Sequence, residues 1–69
     1  MLNPVRVKEA LEERGIKRKF VADNCEVHES RVSEWLRDKD PVPIPKKHEA
    51  KIKEITGKTL KWLRSEDDS

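Results

Sequence analysis

No stretch limits this chain more than Asp40-Pro41-Val42-Pro43-Ile44-Pro45. Three prolines in five residues each hold φ near about −65°, lack the N–H that a helix needs, and push the residue before them out of the helical region. The segment is therefore a stiff, extended connector between a longer and a shorter helical part, with Pro45 opening the helix that follows. At 69 residues the chain has room for one domain. A domain this small buries only about 60% of the surface its unfolded chain exposes, so its core has to be compact. The apolar residues recur at helical rather than alternating intervals, which predicts an all-α fold, a compact bundle of about five short helices.

Asn3-Pro4 is a helix start, a capping side chain followed by proline at the first helical position. Val7, Ala10 and Leu11 then share one face, with Arg6, Lys8, Glu9, Glu12 and Glu13 outside it, and Gly15 is a left-handed stop, giving a helix from Pro4 to Arg14. A second helix is expected over roughly Arg18 to Asn24, with Val21, Ala22 and Cys25 inward. A third covers Glu29 to Arg37, with Val32, Trp35 and Leu36 inward. Beyond the connector a fourth helix turns Ile52 and Ile55 inward and stops near Thr56-Gly57, and Thr59 caps a last turn holding Leu60, Trp62 and Leu63. Residues 1–64 form the folded domain on this pattern, and residues 65–69 a flexible acidic tail.

The formal charge is +2, from 16 basic and 14 acidic residues. Glu66, Asp67 and Asp68 account for three of the acids, so the body of the chain sets 16 basic against 11 acidic residues, an excess of +5 that suits a nucleic-acid partner. Cys25 is the only cysteine, which excludes an internal disulfide and a cysteine-based metal cluster. His28 and His48 are isolated histidines and weak metal ligands. No apolar run is long enough to cross a bilayer, and the N-terminus lacks the pattern of a signal peptide, so a cytoplasmic protein with no membrane partner is expected. There is no phosphate-binding glycine loop and no nucleophile–base pairing, so neither an enzyme, a cofactor nor a small-molecule substrate is expected.

The stretch RKFVADNCEVHESRVSEWLR, from Arg18 to Arg37, carries the functional signal. Two short helices can pack at a steep angle only where a small residue sits at their crossing, and Ala22 is that residue. Val21 and Cys25 from the first helix, Val27 from the turn, and Val32 and Trp35 from the second form the apolar wedge that locks the pair, as a helix-turn-helix requires. Val21-Ala22-Asp23, Val27 and Val32-Ser33-Glu34-Trp35-Leu36 resemble the helix-turn-helix of the Cro and repressor proteins of temperate bacteriophages. Pro43-Ile44-Pro45, Ile52 and Ile55-Thr56-Gly57 resemble the fourth helix of the Cro-like regulators grouped with the YdaS antitoxin family. The likeness runs from Val5 to about Leu63 and implies a lambda-repressor-like fold and a transcriptional regulator, usually a repressor. Such a regulator binds a short inverted-repeat, double-stranded DNA operator as a homodimer. In one respect the chain departs from the pattern: Glu26 stands in the turn where the family usually has glycine.

By helical spacing the outward face of the third helix is Glu29, Ser30, Ser33, Glu34 and Arg37. The resemblance implies that residues at the start of this helix reach base edges, which makes these five the candidate base readers. Glu29 and Glu34 could instead be solvated acids that the charge of DNA disfavours. Lys17, Arg18 and Lys19 are a basic entry to the second helix, where free amides and the helix dipole attract phosphate, and they form the candidate phosphate contacts with His28, Arg31 and Lys39. Lys46 and Lys47 are weaker flanking candidates. Leu60, Trp62, Leu63 and Ile44 are the residues available for a dimer contact. The competing reading is an antitoxin-type DNA-binding protein whose main partner is another protein.

Overall fold

The structure is a computed structural model, and it describes residues 1–65. Five α-helices follow in order: α1 Pro4–Glu13, α2 Arg18–Cys25, α3 Glu29–Trp35, α4 Glu49–Thr56 and α5 Leu60–Arg64, with a 3₁₀ turn at Lys46–His48 ahead of α4. No strand occurs among the described residues, and the fold is the all-α bundle that the spacing predicts. Of the acidic tail expected over residues 65–69, Ser65 is described, with its hydroxyl donating to the Lys61 carbonyl at 3.0 Å, and residues 66–69 lie outside the described residues.

Several of the helix ends are set by local backbone chemistry. The Asn3 side chain accepts from the Val5 N–H at 3.0 Å to cap α1, its amide donates to the Ser65 carbonyl at 2.6 Å, and its backbone N–H reaches the Leu63 carbonyl at 2.8 Å. One residue thus starts the first helix and fastens it to the end of the last. At the other end of α1, Gly15 at φ +68° donates to the Glu12 carbonyl and Ile16 donates to the Leu11 carbonyl. That pair of bonds is a Schellman motif, which needs a left-handed residue. The end of α2 repeats the motif with Glu26 at φ 58°: Glu26 N–H bonds the Asp23 carbonyl at 3.4 Å, and Val27 N–H bonds the Ala22 carbonyl at 3.0 Å. The turn therefore keeps its usual shape, and Glu26 carries the strain, about 1–2 kcal/mol for a residue with a Cβ. Gly57 closes α4 at φ +72°, and a Cβ there would collide with the Arg14 guanidinium, which lies against it and donates to the Thr56 carbonyl at 3.0 Å.

The core is built from the helix faces that the spacing predicts: Val7, Ala10 and Leu11 of α1, Val21, Ala22 and Cys25 of α2, Val32, Trp35 and Leu36 of α3 and its cap, and Ile52 of α4. Leu2, Ile44 and Leu63 complete it, with Val27, Ile55, Leu60 and Trp62 packed against its edge. Trp35, 1% exposed, is the largest of these side chains. Removing an indole from water is worth about 5 kcal/mol for roughly 200 Å² of apolar surface. That exceeds the roughly 1–3 kcal/mol cost of its buried Nε1–H, which has no hydrogen-bond partner. His48 lies against it, the ring centroids 5.3 Å apart.

Three features differ from the pattern read in the sequence. α3 ends at Trp35 rather than at Arg37, because Val42 of the connector donates to the Glu34 carbonyl at 3.0 Å and takes the acceptor that another helical turn would need. Pro45 precedes the 3₁₀ turn, and α4 itself begins at Glu49. Ile44 and Leu63, expected at a dimer contact, are 3% and 0% exposed, so the core consumes them and neither can reach a second copy. Trp62 is half-buried between Arg6 and Lys58, whose cationic groups stand 4.9 and 5.0 Å from its ring centroid.

Two predictions follow from the strained and buried residues. Glu26→Gly removes the left-handed penalty and adds about 0.5–1 kcal/mol of backbone entropy cost. The net runs from about zero to about 1.5 kcal/mol of gain, which raises the thermal midpoint by up to several degrees; a midpoint below wild type rejects the strain. The second concerns His48, whose pKa burial lowers, with Lys47 adding to the shift. The unfolded chain takes up a proton near pH 6.5 while the folded chain does so only at lower pH. Stability from this group is therefore complete above about pH 6.5 and falls as pH drops toward the folded value. Denaturant midpoints at pH 7 and pH 5 should fall further for wild type than for His48→Gln, and equal falls would exclude this source.

Candidate nucleic-acid interface

α3 is a seven-residue helix with two characters. Val32 and Trp35 are buried, while Glu29 and Ser30 are exposed and Ser33 and Glu34 half-exposed. Its apolar side is packed into the core, and its polar side is exposed or half-exposed. α2 packs against it, and the small Ala22, 2% exposed, is buried with Val21 and Cys25 in the core that Val32 and Trp35 also enter. Burial raises the Cys25 thiol pKa, which keeps it a neutral, apolar packing group.

His28 is the N-cap of α3, a role usually taken by Ser, Thr, Asp or Asn. Its Nδ1 accepts from the Ser30 backbone N–H at 3.2 Å and lies 3.0 Å from the Ser30 hydroxyl. Because His28 seldom signals a cap, the sequence offered no cue for this role. Glu29 in the first turn is favourably placed against the helix dipole. Across the interhelix corner, Arg18 Nη1 donates to Ser33 Oγ at 3.4 Å. That bond joins a candidate phosphate anchor to a candidate base reader 15 positions away.

The remaining candidates divide between this face and its margin. Lys17 is the N-cap of α2, and no side chain closes that helix end, so its first amides point outward beside Lys17, Arg18 and Lys19, all exposed. Arg31 lies 3.7 Å from Glu34 in an exposed pair one turn apart on α3, a contact worth a few tenths of a kcal/mol and readily exchanged for a phosphate. Arg37 lies beyond the helix, where its Nη2 donates to the Asp40 carbonyl at 3.2 Å, so it does not share the helical face with Ser30 and Ser33. Lys39 is exposed in the bend beside Asp40, which is itself left-handed at φ 51°. Lys46 and Lys47 belong to the 3₁₀ turn, on the other side of the connector.

Elsewhere the surface offers open grooves on both sides of Phe20, which is 52% exposed. Gly15, Ile16, Lys17, Lys19 and Asp23 line one, and Arg14, Asn24, Lys51, Glu54 and Ile55 line the other. Among the described residues no group of three His, Cys, Asp or Glu side chains could hold a metal ion, and no helix is long and apolar enough to cross a membrane. No protein-family model, no curated protein and no solved structure matches this chain.

Proposed function

We propose that this chain is a sequence-specific DNA-binding transcriptional regulator, a Cro-like repressor that sets α3 in the major groove of a short inverted-repeat operator. The observation that carries this reading is the division of α3: Val32 and Trp35 lock one side into the core, and Glu29, Ser30, Ser33 and Glu34 make the opposite side entirely polar. A seven-residue helix is about 10 Å long and about 10 Å across with side chains, dimensions that the major groove, about 12 Å wide, accepts.

The two helices take different tasks. The uncapped start of α2, with Lys17, Arg18 and Lys19, offers amide donors and positive charge to the phosphate backbone. His28, Arg31 and Lys39 add backbone contacts at the start of α3 and beyond its end. Glu29, Ser30, Ser33 and Glu34 face base edges, with Arg37 at the edge of the groove. The regulator acts in the cytoplasm as a homodimer on its operator, the half-sites about 34 Å apart. Leu60 and Trp62, half-buried on α5, are the apolar side chains near the C-terminus that a second copy can still reach.

The test is binding measured over a range of salt. Affinity should fall with a log–log slope of about −0.9 for each phosphate contact. Arg18→Ala should weaken binding to operator and random DNA by similar factors and flatten the slope by about one contact. Ser33→Ala should change the preference among sites by about 3- to 10-fold and leave the slope unchanged. Wild-type slopes near zero, or two variants indistinguishable from wild type, would remove the assignment.

A further inference from the structure

We infer that Phe20 and the two grooves beside it are a docking site for an acidic protein segment with an apolar anchor, and that its occupancy displaces DNA. The docking stands on this surface alone, and the displacement rests on the DNA-binding reading above.

Phe20 lies on α2 immediately before the inward residues Val21 and Ala22, so the helix turns its ring away from the core. Of the three aromatic residues it alone is more than half exposed. A single exposed apolar side chain is ordinary. Here, however, the ring continues into Ile16 and Ile55, which are only partly buried, and the three side chains line one groove together. Ile16 follows α1, Phe20 sits on α2 and Ile55 on α4, so the packing of three elements sets this apolar strip.

The rim decides the kind of occupant. Lys17 and Lys19 stand on one side of the ring, Arg14 and Lys51 on the other. The acids of the rim are Asp23 and Glu54, and Glu54 is taken up by Lys51 at 3.7 Å. Arg14 donates to the Thr56 carbonyl, a neutral acceptor that holds the guanidinium without cancelling its charge. Lys17 and Lys19 make no ion pair among the described residues. Three cations thus face one remaining carboxylate, Asp23, around an apolar floor. Carboxylates flanking an aromatic or branched apolar side chain satisfy both parts at once. A phosphate backbone would answer the lysines and leave the ring and the isoleucines against charge. A small molecule fits less well, because both grooves are open and would leave most of it in water.

Lys17 and Lys19 are also phosphate contacts of the proposed DNA complex, at the uncapped start of α2. The same two ammonium groups cannot serve a peptide carboxylate and a DNA phosphate together. The two partners therefore exclude each other, and each weakens the other's binding.

Selection from a random library of peptides about ten residues long, on the folded wild-type chain with Phe20→Gln as counter-selection, tests the docking. Glutamine suits an exposed helix position, and an unchanged thermal midpoint verifies the fold of the variant. Peptides kept by wild type alone should carry carboxylates around an aromatic or branched apolar residue. For the best of them, made synthetically, Phe20→Gln should weaken binding about tenfold or more, and Lys19→Glu by about 3- to 10-fold. Phe20→Gln should leave the affinity for a random-sequence duplex within about twofold of wild type. At about nine times its Kd, the peptide should raise the apparent Kd for that duplex about tenfold. Basic or purely polar peptides, no retained peptide, or an affinity that Phe20→Gln leaves unchanged overturns the docking site. A loss of DNA binding in Phe20→Gln that matches its loss of peptide binding assigns the surface to DNA and overturns it too. Peptide and duplex bound together without mutual weakening overturn the displacement. Absence of salt-dependent DNA binding by wild type removes the DNA-binding reading and the displacement with it, while the peptide result still decides the docking.

Discussion

The orientation of α3 depends on how α2 ends. Val27 N–H bonding the Ala22 carbonyl, with Glu26 left-handed between them, reverses the chain within three residues and starts the next helix at Glu29. Ala22 lies within this bond pattern and is also buried in the core, so one small residue both closes the turn and leaves room for its neighbours there. A larger side chain at Ala22 would push the helices apart, and Val27 would lose its packing against the core. Everything on the outward face of α3 is aimed by that corner.

The corner is in turn held by elements distant in sequence. Trp35 anchors α3 from below and packs on His48 at the entry to α4. The connector between them crosses back so that Val42 bonds the Glu34 carbonyl. Its prolines supply extended backbone without unmet N–H groups, and Ile44 is drawn into the core between them. Glu49, 5% exposed, accepts from Arg64 Nη2 at 2.6 Å and ties α4 to α5, while Asn3 ties α5 to α1. In a chain of 69 residues with a core this small, such links between termini and helices supplement what apolar burial alone can supply.

Most of the fold was legible in the sequence because local signals and the apolar pattern agreed. Asn3-Pro4, Gly15, Gly57 and Thr59 mark helix ends by well-defined backbone chemistry, and the inward faces of α1 to α3 repeat at 3.6-residue spacing. What was not legible depended on tertiary contacts. The end of α3 is set by a bond from Val42, which no local signal at Leu36 announces. Leu63 and Ile44 look like surface-capable apolar residues in one dimension, and only the closing of α5 and the connector onto the core buries them. His48, Glu49 and Thr56 are polar types that read as surface. They are buried because a tryptophan ring, an arginine and the Ile52 carbonyl, respectively, are there to receive them.

The candidate site divides along the same line. Composition and spacing bring Ser30 and Ser33 to the outward face, but a hydroxyl's identity says nothing about which way its hydrogen points. His28 Nδ1 stands 3.0 Å from the Ser30 hydroxyl and Arg18 Nη1 3.4 Å from Ser33 Oγ, and neither relation follows from periodicity. A protein that sets a few small polar side chains against the bases gains little from each contact alone. On the proposed reading, the surroundings of the two serines, His28 beside Ser30 and Arg18 beside Ser33, are set by the helix cap and the interhelix corner and not by the serines alone.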